Sequence, residues 1–285
     1  MTQAPPKNPR FPLALDRVHG STRAAPAGGL LRPQAPLKHA AEAAAQLAGG
    51  RHQPRGLGLD SAAVRQRMVQ RLRADGIRSE AVLQAFGTVE RHRFVDSALA
   101  TQAYEDTSLP IGLSQTISKP SVVARMLQLL FEGSTAQAQG HLGRVLEIGT
   151  GCGYQAALLA LLSRNVVSIE RLKALHDKAR ENLAEQRYGQ SQGQGGADLR
   201  LVYGDGRLGH APRAPYDSIV AAAGGEDLPM AWLEQLAVGG RMVAPMHDAA
   251  RGGQQGLLVI DRRPDGLHRQ WLDAVHFVPL KSGAA

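Results

Sequence analysis

The stretch Val145-Leu-Glu-Ile-Gly-Thr-Gly-Cys-Gly-Tyr154 determines the fold class of this 285-residue chain. An apolar run at residues 145–148 leads into three glycines at alternate positions, Gly149, Gly151 and Gly153, and a helical pattern of Ala and Leu begins directly after them. Glycines allow a sharp turn, and the first turn of a helix leaves backbone N–H groups free for an anionic part of a ligand. The stretch therefore predicts a strand–turn–helix unit with a ligand at the turn.

Outward from this unit, short apolar runs alternate with helical segments. The runs are residues 145–148, 166–169, 199–202, 218–221, 242–244 and 257–260, and the helices are residues 154–163 and 172–185. Alternating strands and helices are typical of βαβ units around a largely parallel sheet. The sequence therefore predicts an α/β fold with a doubly wound, Rossmann-like sheet, which we assign to residues 141–285.

The residues before the sheet predict a small helical cap, residues 59–140. Apolar residues recur at helical spacing from Val64 to Leu72, a second helix opens at Ser79, and a third follows Pro120, since proline suits the first turn of a helix. Residues 94–118, between the second and third helices, look like a loop. Residues 188–198, rich in Gln and Gly, predict a surface loop inserted in the sheet domain.

The N-terminal extension, residues 1–58, is rich in Pro, Ala and Arg. We expect it to be disordered, apart from a short helix at residues 37–47, because such a segment buries too little to offset the entropy of ordering it. Residues 1–55 hold eight Lys and Arg against two acids, so most of the net charge of +8 lies there. Because the predicted core is nearly neutral, charge argues against a nucleic-acid partner.

Other functional classes are disfavoured by composition. No apolar run is long enough to cross a bilayer, and no basic start precedes an apolar run as in a secretory signal. The single cysteine, Cys152, excludes an intrachain disulfide, and the histidines show no zinc-binding pattern. We expect a cytoplasmic protein with no metal and no membrane partner, and we interpret Cys152 as a small loop residue rather than a nucleophile.

An acid stands at each of three successive strand ends. Glu147 lies two residues before Gly149, Glu170 follows the second strand, 21 residues after Gly149, and Asp205 follows the third. At the carboxyl edge of a parallel sheet, Glu170 can accept hydrogen bonds from ribose hydroxyls and Asp205 from the exocyclic amine of adenine. Glu147 would favour the ammonium and sulfonium of a methionine-type ligand. Together the three acids predict a nucleoside that carries a methionine-type sulfonium.

The glycine spacing argues against a dinucleotide cofactor. Dinucleotide-binding folds use G-x-G-x-x-G, whereas here the third glycine, Gly153, comes one position earlier. An acid beside a pyrophosphate would also be unfavourable, and Glu147 lies beside the turn. An NAD-type oxidoreductase is therefore disfavoured.

With these residues in place, the chain resembles the protein-L-isoaspartate O-methyltransferase family from about Val64 to Leu280. The resemblance rests on four segments: Leu109-Pro-Ile-Gly-Leu-Ser-Gln-Thr-Ile-Ser-Lys-Pro120, the glycine stretch, Gly204-Asp-Gly-Arg207 with Ala214-Pro-Tyr-Asp217, and Phe277-Val-Pro-Leu280. The glycine stretch is shared by many methyltransferases, and Gln115-Thr-Ile-Ser118 is far more specific. The resemblance implies a class I S-adenosylmethionine-dependent methyltransferase with a mostly parallel seven-stranded sheet and a small helical cap.

The resemblance also implies roles for individual residues. Ser118 would be the catalytic serine, on a loop that binds isoaspartyl proteins or peptides as substrate. S-adenosylmethionine, with S-adenosylhomocysteine as product, would contact a set of residues from the loop and the strand ends: Gln115, Thr116, Ile117, Glu147, Gly149, Thr150, Gly151, Gly153, Glu170, Arg171, Asp205 and Gly206. The acceptor would be the free carboxylate of an L-isoaspartyl residue, and we expect a monomer.

Two alternatives remain open from the residues alone. A methyltransferase acting on RNA or a small molecule would share the fold and cofactor, but it would favour a basic core or an aromatic platform, and aromatics make up only 4% of this chain. A binding module without activity should have lost some of Glu170, Asp205 or the segment at residues 115–118, and all are present.

Overall fold

The computed structural model describes residues 62–185, 197–248 and 252–285. The predicted disordered extension at residues 1–58, with its helix at residues 37–47, lies outside these ranges. So does most of the predicted loop at residues 188–198.

The strands within these ranges form a two-stranded hairpin and one seven-stranded sheet. The hairpin strands are β1 (Leu109–Gly112) and β2 (Gln115–Ile117). The sheet strands are β3 (Arg144–Ile148), β4 (Asn165–Glu170), β5 (Asp198–Tyr203), β6 (Tyr216–Ala221), β7 (Leu236–Asp248), β8 (Gln254–Arg263) and β9 (Gly266–Ala274).

The large sheet has the order β5-β4-β3-β6-β7-β8-β9. Neighbours from β5 to β7 pair in parallel, while β8 pairs antiparallel with both β7 and β9. The predicted doubly wound, mostly parallel sheet is confirmed.

The order in which the chain adds strands to the sheet reverses at β3. The chain runs outward from β3 through β4 to β5 and then returns to β6 on the other side of β3. Open α/β sheets bind their ligands at such a reversal, beyond the carboxyl ends of the strands. The topology therefore places the ligand site at the end of β3, where the glycines lie.

Seven α-helices surround the sheet or form the cap within the described residues. They are α1 (Ala62–Ala74), α2 (Glu80–Thr88), α3 (Pro120–Phe131), α4 (Ser134–Gln139), α5 (Tyr154–Leu162), α6 (Lys173–Glu185) and α7 (Met230–Gln235). The predicted helices at Ser79 and after Pro120 are confirmed, with Ser79 as an N-cap that accepts from Val82 N. Helices α4 and α7 were not predicted, because their six residues are too few to show a helical period.

The predicted loop at residues 94–118 was wrong in its last third, where the structure has a β-hairpin. Strand β1 pairs antiparallel with β2. Leu113 and Ser114 form the turn with φ of 52° and 57°. Such a turn usually carries Gly or Asn, so these two residues gave no turn signal. Short 3₁₀ turns at Arg91–Phe94 and Ser97–Gln102 also fall in or beside this region.

Strand β9 had no signal in the sequence either. Most of its residues are exposed, so no apolar run marks it, although it pairs with β8 along its length. The sheet itself buries side chains on both faces. Val145 and Leu146, adjacent on β3, belong to different apolar clusters, as the alternation of a strand requires. No helix in the described part of the chain is both long and apolar enough to cross a membrane.

Leu127 on α3 offers a test of the packing between the cap and the sheet. Its side chain is 0% exposed within the larger cluster, so Leu127→Ala should cost about 2–5 kcal/mol of unfolding free energy. Urea denaturation measures this cost. Leu161→Ala is the matched control, because Leu161 is 45% exposed and its loss should matter little. Equal effects of the two substitutions would contradict this packing.

Candidate active site

A cleft of about 320 Å³ lies beyond the carboxyl ends of β3 and β4. The hairpin β1–β2 and the loop after it form one wall, and the glycine loop after β3 forms the floor. Residues 278–281, near the C-terminus, form the far wall. The cleft therefore joins segments that are far apart in the sequence.

Most of the predicted site residues meet in this cleft. Those that line it are Gln115, Thr116, Ile117, Ser118, Gly149, Thr150, Gly151, Glu170, Arg171 and Gly206. Glu147, Gly153 and Asp205 do not line it. Residues 278–281 had no predicted role in a cleft, although part of that segment carries the family resemblance.

The glycine loop adopts backbone angles that other residues rarely adopt. Gly149, Gly151 and Gly153 have φ of 90°, 56° and 92°. A Cβ on Gly151 would lie 3.2 Å from Ile111 Cδ1, so the hairpin packs directly over the loop. Gly149 N donates to Ile169 O at 2.9 Å, which attaches the loop to β4. Gly153 supports the loop from behind, against Leu183 of α6.

Glu170 connects the loop to the end of β4. Its Oε2 accepts from Gly151 N and its Oε1 accepts from Leu172 N, both at 2.9 Å. The side chain is buried, yet the residue lines the cleft. A carboxylate oxygen has two lone pairs, so each oxygen can accept one further hydrogen bond from a ligand hydroxyl. This geometry suits the predicted contact with a ribose.

Glu147 lies behind the loop rather than in the cleft. It is 0% exposed, and its Oε2 accepts from Ser168 Oγ at 2.5 Å, while Thr150 Oγ1 and Ser168 Oγ share a hydrogen bond at 2.6 Å. Burial raises the pKa of Glu147 to about 8, so its carboxyl is neutral at pH 7. The predicted direct contact between a charged Glu147 and a cationic ligand is therefore corrected: Glu147 supports Thr150 from below.

Asp205 connects the end of β5 to the C-terminal segment. Its Oδ1 accepts from Arg207 N at 2.8 Å and its Oδ2 from Gly283 N at 2.6 Å. Gly206, the next residue, lines the cleft, and a Cβ there would lie 2.6 Å from Ile148 Cγ2. Direct contact of Asp205 with a ligand stays a prediction, and Gly206 must lack a side chain because Ile148 packs against it.

Arg171 lines the cleft, but its guanidinium points to the C-terminal segment. Nε donates to Gly283 O at 2.9 Å, and Arg171 O accepts from Ala285 N. Together with Asp205, Arg171 therefore anchors residues 283–285, which follow directly after the far wall of the cleft. The sequence offered no sign of this contact, because the partners are 112 residues apart.

Ser118 lies between β2 and α3, at the cleft wall. The N-cap residue of α3 is Lys119, so a capping role for the Ser118 side chain is not supported. The Ser118 carbonyl accepts from Arg91 Nη2 at 2.8 Å. Arg91 was not predicted, because an isolated arginine just before the predicted loop carries no pattern and its partners lie 12 to 27 residues away.

The cysteine in the cleft is unsuited to nucleophilic attack. Cys152 is buried, and burial raises the pKa of its thiol to about 11. A thiol that stays protonated at neutral pH is a poor nucleophile. Within the described residues, no group of His, Cys, Asp and Glu could hold a metal ion.

Comparison with known proteins identifies a family that matches most of this chain. Residues 63–285 match the family model of protein-L-isoaspartate(D-aspartate) O-methyltransferase. The protein-L-isoaspartate O-methyltransferase of Methylibium petroleiphilum is 60% identical over 276 residues, which cover 96% of each chain. That of Leptothrix cholodnii is 56% identical over 294 residues, covering 99% of this chain and 96% of its own.

Solved structures agree with the fold. A protein-L-isoaspartate O-methyltransferase structure superposes with a TM-score of 0.65 at 25% identity, covering 76% of this chain and 66% of that one. A Plasmodium falciparum protein described as a putative protein-L-isoaspartate O-methyltransferase, solved with S-adenosyl-L-homocysteine, gives 0.60 at 22% identity, covering 76% and 98%.

Glu147 makes stability depend on pH. Its pKa is about 8 in the folded protein against an ordinary value of 4.5. As pH rises, Glu147 loses its proton in the unfolded state before it does so in the folded state. The stability that Glu147 contributes is therefore complete at acidic pH and is lost as pH rises through the folded pKa. Because Gln stays neutral, Glu147→Gln should melt higher than wild type at about pH 9 and lose that advantage near about pH 5.

Calorimetric melting across this range measures the difference. Glu234→Gln is the control, because Glu234 is an exposed carboxyl on α7 and should show no such trend. A pH-independent difference between Glu147→Gln and wild type would contradict a neutral Glu147.

Proposed function

The chain belongs to the protein-L-isoaspartate(D-aspartate) O-methyltransferase family, and from that membership we propose how its cleft works. The cleft transfers a methyl group from S-adenosylmethionine to the free carboxylate of an L-isoaspartyl residue. The observation that supports this most strongly is that one cleft brings together the glycine loop, Glu170 and the segment at residues 115–118. The first two bind a nucleoside donor, and the third faces them from the opposite wall.

The cleft residues fit S-adenosylmethionine. Gln155 lines the cleft, and its side-chain amide interacts with the buried carboxyl of Glu147 behind the loop. The glycine loop bears no side chains beyond Thr150 and Cys152, and Gly206 presents only backbone to the cleft, because a Cβ there would clash with Ile148. Backbone N–H groups at the start of α5 suit the carboxylate of a methionine moiety.

Three parts of the cleft would hold the cofactor. The loop at residues 149–153 would hold the methionine half, Glu170 the ribose hydroxyls, and Gly206 with Asp205 the adenine. The bound cofactor supplies a methyl group on a positively charged sulfur. Glu147 supports the loop through Ser168 and Thr150, and Glu170 accepts from two backbone N–H groups, so the loop keeps its shape.

The acceptor needs no general base. Carboxyl groups titrate near pH 4, so an isoaspartyl carboxylate is already ionised at neutral pH. The protein's task is to exclude water and align the carboxylate oxygen with the methyl group and the sulfur. We assign the Ser118 hydroxyl as the donor that orients this carboxylate. A neutral donor suits this task, since a cation would stabilise the anion and slow its attack.

Methylation prepares the damaged residue for repair. The methyl ester is more reactive toward attack than the free carboxylate, because methoxide is a better leaving group than the oxide of an ionised carboxyl. The backbone nitrogen of the next residue attacks the ester carbonyl, closes a succinimide and releases methanol. Hydrolysis of the succinimide then restores part of the material to the normal aspartyl linkage. This sequence follows from the substrate chemistry and needs no further group from the cleft.

The partners follow from the same proposal. The substrates are proteins and peptides that contain isoaspartyl residues, and we infer a cytoplasmic monomer with no nucleic-acid or membrane partner. The single cysteine and the nearly neutral sequence after residue 55 support this inference. A methyltransferase for RNA or a small molecule is the alternative, and substrate specificity distinguishes the two.

A matched pair of peptides tests the substrate. One peptide carries an isoaspartyl residue and the other the normal aspartyl residue in the same sequence, each incubated with labelled S-adenosylmethionine. We expect label in the isoaspartyl peptide alone, released as methanol under mild base. Equal labelling of both peptides, or labelling of neither, would reject the proposed specificity.

Substitution of Ser118 tests its role. Loss of one hydrogen bond to a charged group costs about 1.5–3 kcal/mol, so Ser118→Ala should lower kcat/KM for the isoaspartyl peptide by roughly 10-fold to 100-fold. Affinity for S-adenosylhomocysteine should stay near that of wild type in calorimetry. The control is Ser97→Ala, an exposed serine in a 3₁₀ turn that does not line the cleft. Wild-type turnover by Ser118→Ala would remove the assigned role.

A further inference from the structure

We propose that Arg91 is a positioning residue that sets the spacing between the acceptor segment and the cofactor loop. The proposal rests on the proposed function, because it assigns the acceptor to the Ser118 wall and the cofactor to the glycine loop. Arg91 itself does not line the cleft. It acts behind the two walls, through Ser118 on one side and Tyr154 on the other.

On the acceptor side, one guanidinium binds three backbone carbonyls. Arg91 Nε donates to Ala103 O at 2.7 Å, and Nη2 donates to Ser118 O at 2.8 Å and to Thr107 O at 3.4 Å. These carbonyls lie on both sides of the hairpin β1–β2, which spans residues 109–117. The side chain therefore fixes where the hairpin leaves the cap and where it ends at Ser118.

On the cofactor side, the same guanidinium packs on Tyr154. Arg91 Cζ lies 4.9 Å from the centroid of the Tyr154 ring. Tyr154 directly follows Gly153 and is the first residue of α5, so it continues the glycine loop. Phe86 and Phe94 contact the ring with their planes at 86° and 66° to it, so the cap also holds Tyr154 in place.

Burial makes this arrangement costly, which argues that it has a function. Arg91 is 0% exposed, and no carboxylate within the described residues forms an ion pair with it. Burial lowers the pKa of Arg91, which shows that the environment disfavours the charge. A buried cation without a paired anion is destabilising. The N–H groups of a guanidinium are planar and fixed in direction, so one arginine can donate to several carbonyls at set angles. A lysine ammonium cannot reproduce this geometry.

The reaction explains why a fixed spacing matters. In-line methyl transfer requires the carboxylate oxygen, the methyl carbon and the sulfur to lie on one line at close range. A displacement of about 1 Å in such geometry can cost about 100-fold in rate. A side chain that contacts both walls therefore controls turnover more than it controls the affinity for either ligand alone.

The test compares Arg91→Gln and Arg91→Lys with wild type and with Arg262→Gln. Arg262 is a matched control, because its Nη1 also donates to three carbonyls, those of Leu233, Glu234 and Leu236, away from the cleft. For each protein, calorimetry gives the melting temperature and the Kd of S-adenosylhomocysteine. Turnover of the isoaspartyl peptide is then measured well below that melting temperature, so that only folded protein is compared.

The expected result is a split between turnover and cofactor affinity. Arg91→Gln should lower kcat by roughly 30-fold to 100-fold, with the Kd of S-adenosylhomocysteine close to wild type. Arg91→Lys should recover part of kcat, because its ammonium can still reach one of the carbonyls. Arg262→Gln should melt at a lower temperature and keep the wild-type kcat.

Several outcomes would overturn the proposal. Wild-type kcat in folded Arg91→Gln would do so, as would a parallel loss of kcat and cofactor affinity. If neither Arg91 variant shows cooperative melting, Arg91 serves folding and the positioning role is rejected. Wild type without activity on the isoaspartyl peptide rejects the proposed function instead, whereas active wild type with an equally active Arg91→Gln rejects only the positioning role.

Discussion

The hydrogen bond from Gly151 N to the Glu170 carboxylate is the contact on which the rest of the site depends. It joins the loop after β3 to the end of β4, at the point where the strand order reverses. The bond from Gly149 N to Ile169 O and the bond from Ala222 N to Ile148 O attach the same loop to both neighbouring strands. Backbone held in this way presents its remaining donors to a ligand without rearrangement, and a bound nucleoside needs such preformed contacts.

The acceptor wall depends on a different kind of contact. The hairpin β1–β2 pairs with no strand of the main sheet, so its position relies on packing over the glycine loop and on the cap. Arg91 supplies the polar part of that attachment, through carbonyls before and after the hairpin. The cap therefore helps to position the acceptor wall, and Val123 from its third helix lines the cleft.

The sequence indicated most residues on the glycine-loop side of the cleft, but it did not indicate the hairpin or Arg91 on the opposite side. Glycine spacing and acids at strand ends are local patterns, and Glu170 and the loop that they indicated do line the cleft. The same reasoning misplaced Glu147, because a strand residue points to one face or the other. Its register turns the Glu147 side chain toward Ser168, away from the cleft. The turn at Leu113 and Ser114 was not predicted because neither is a typical residue for positive φ.

Local patterns in the sequence determined the parallel sheet, the glycine turn at β3 and the carboxylate at the end of β4. Periodicity and glycine spacing extend over only a few residues, so each short segment by itself indicates the local structure that it adopts. Only the tertiary structure decided that residues 278–281 close the cleft, that Glu147 is buried and neutral, and that Arg91 lies between Ser118 and Tyr154. These outcomes depend on contacts between distant segments, whose energies come from burial and hydrogen bonding that no local pattern contains.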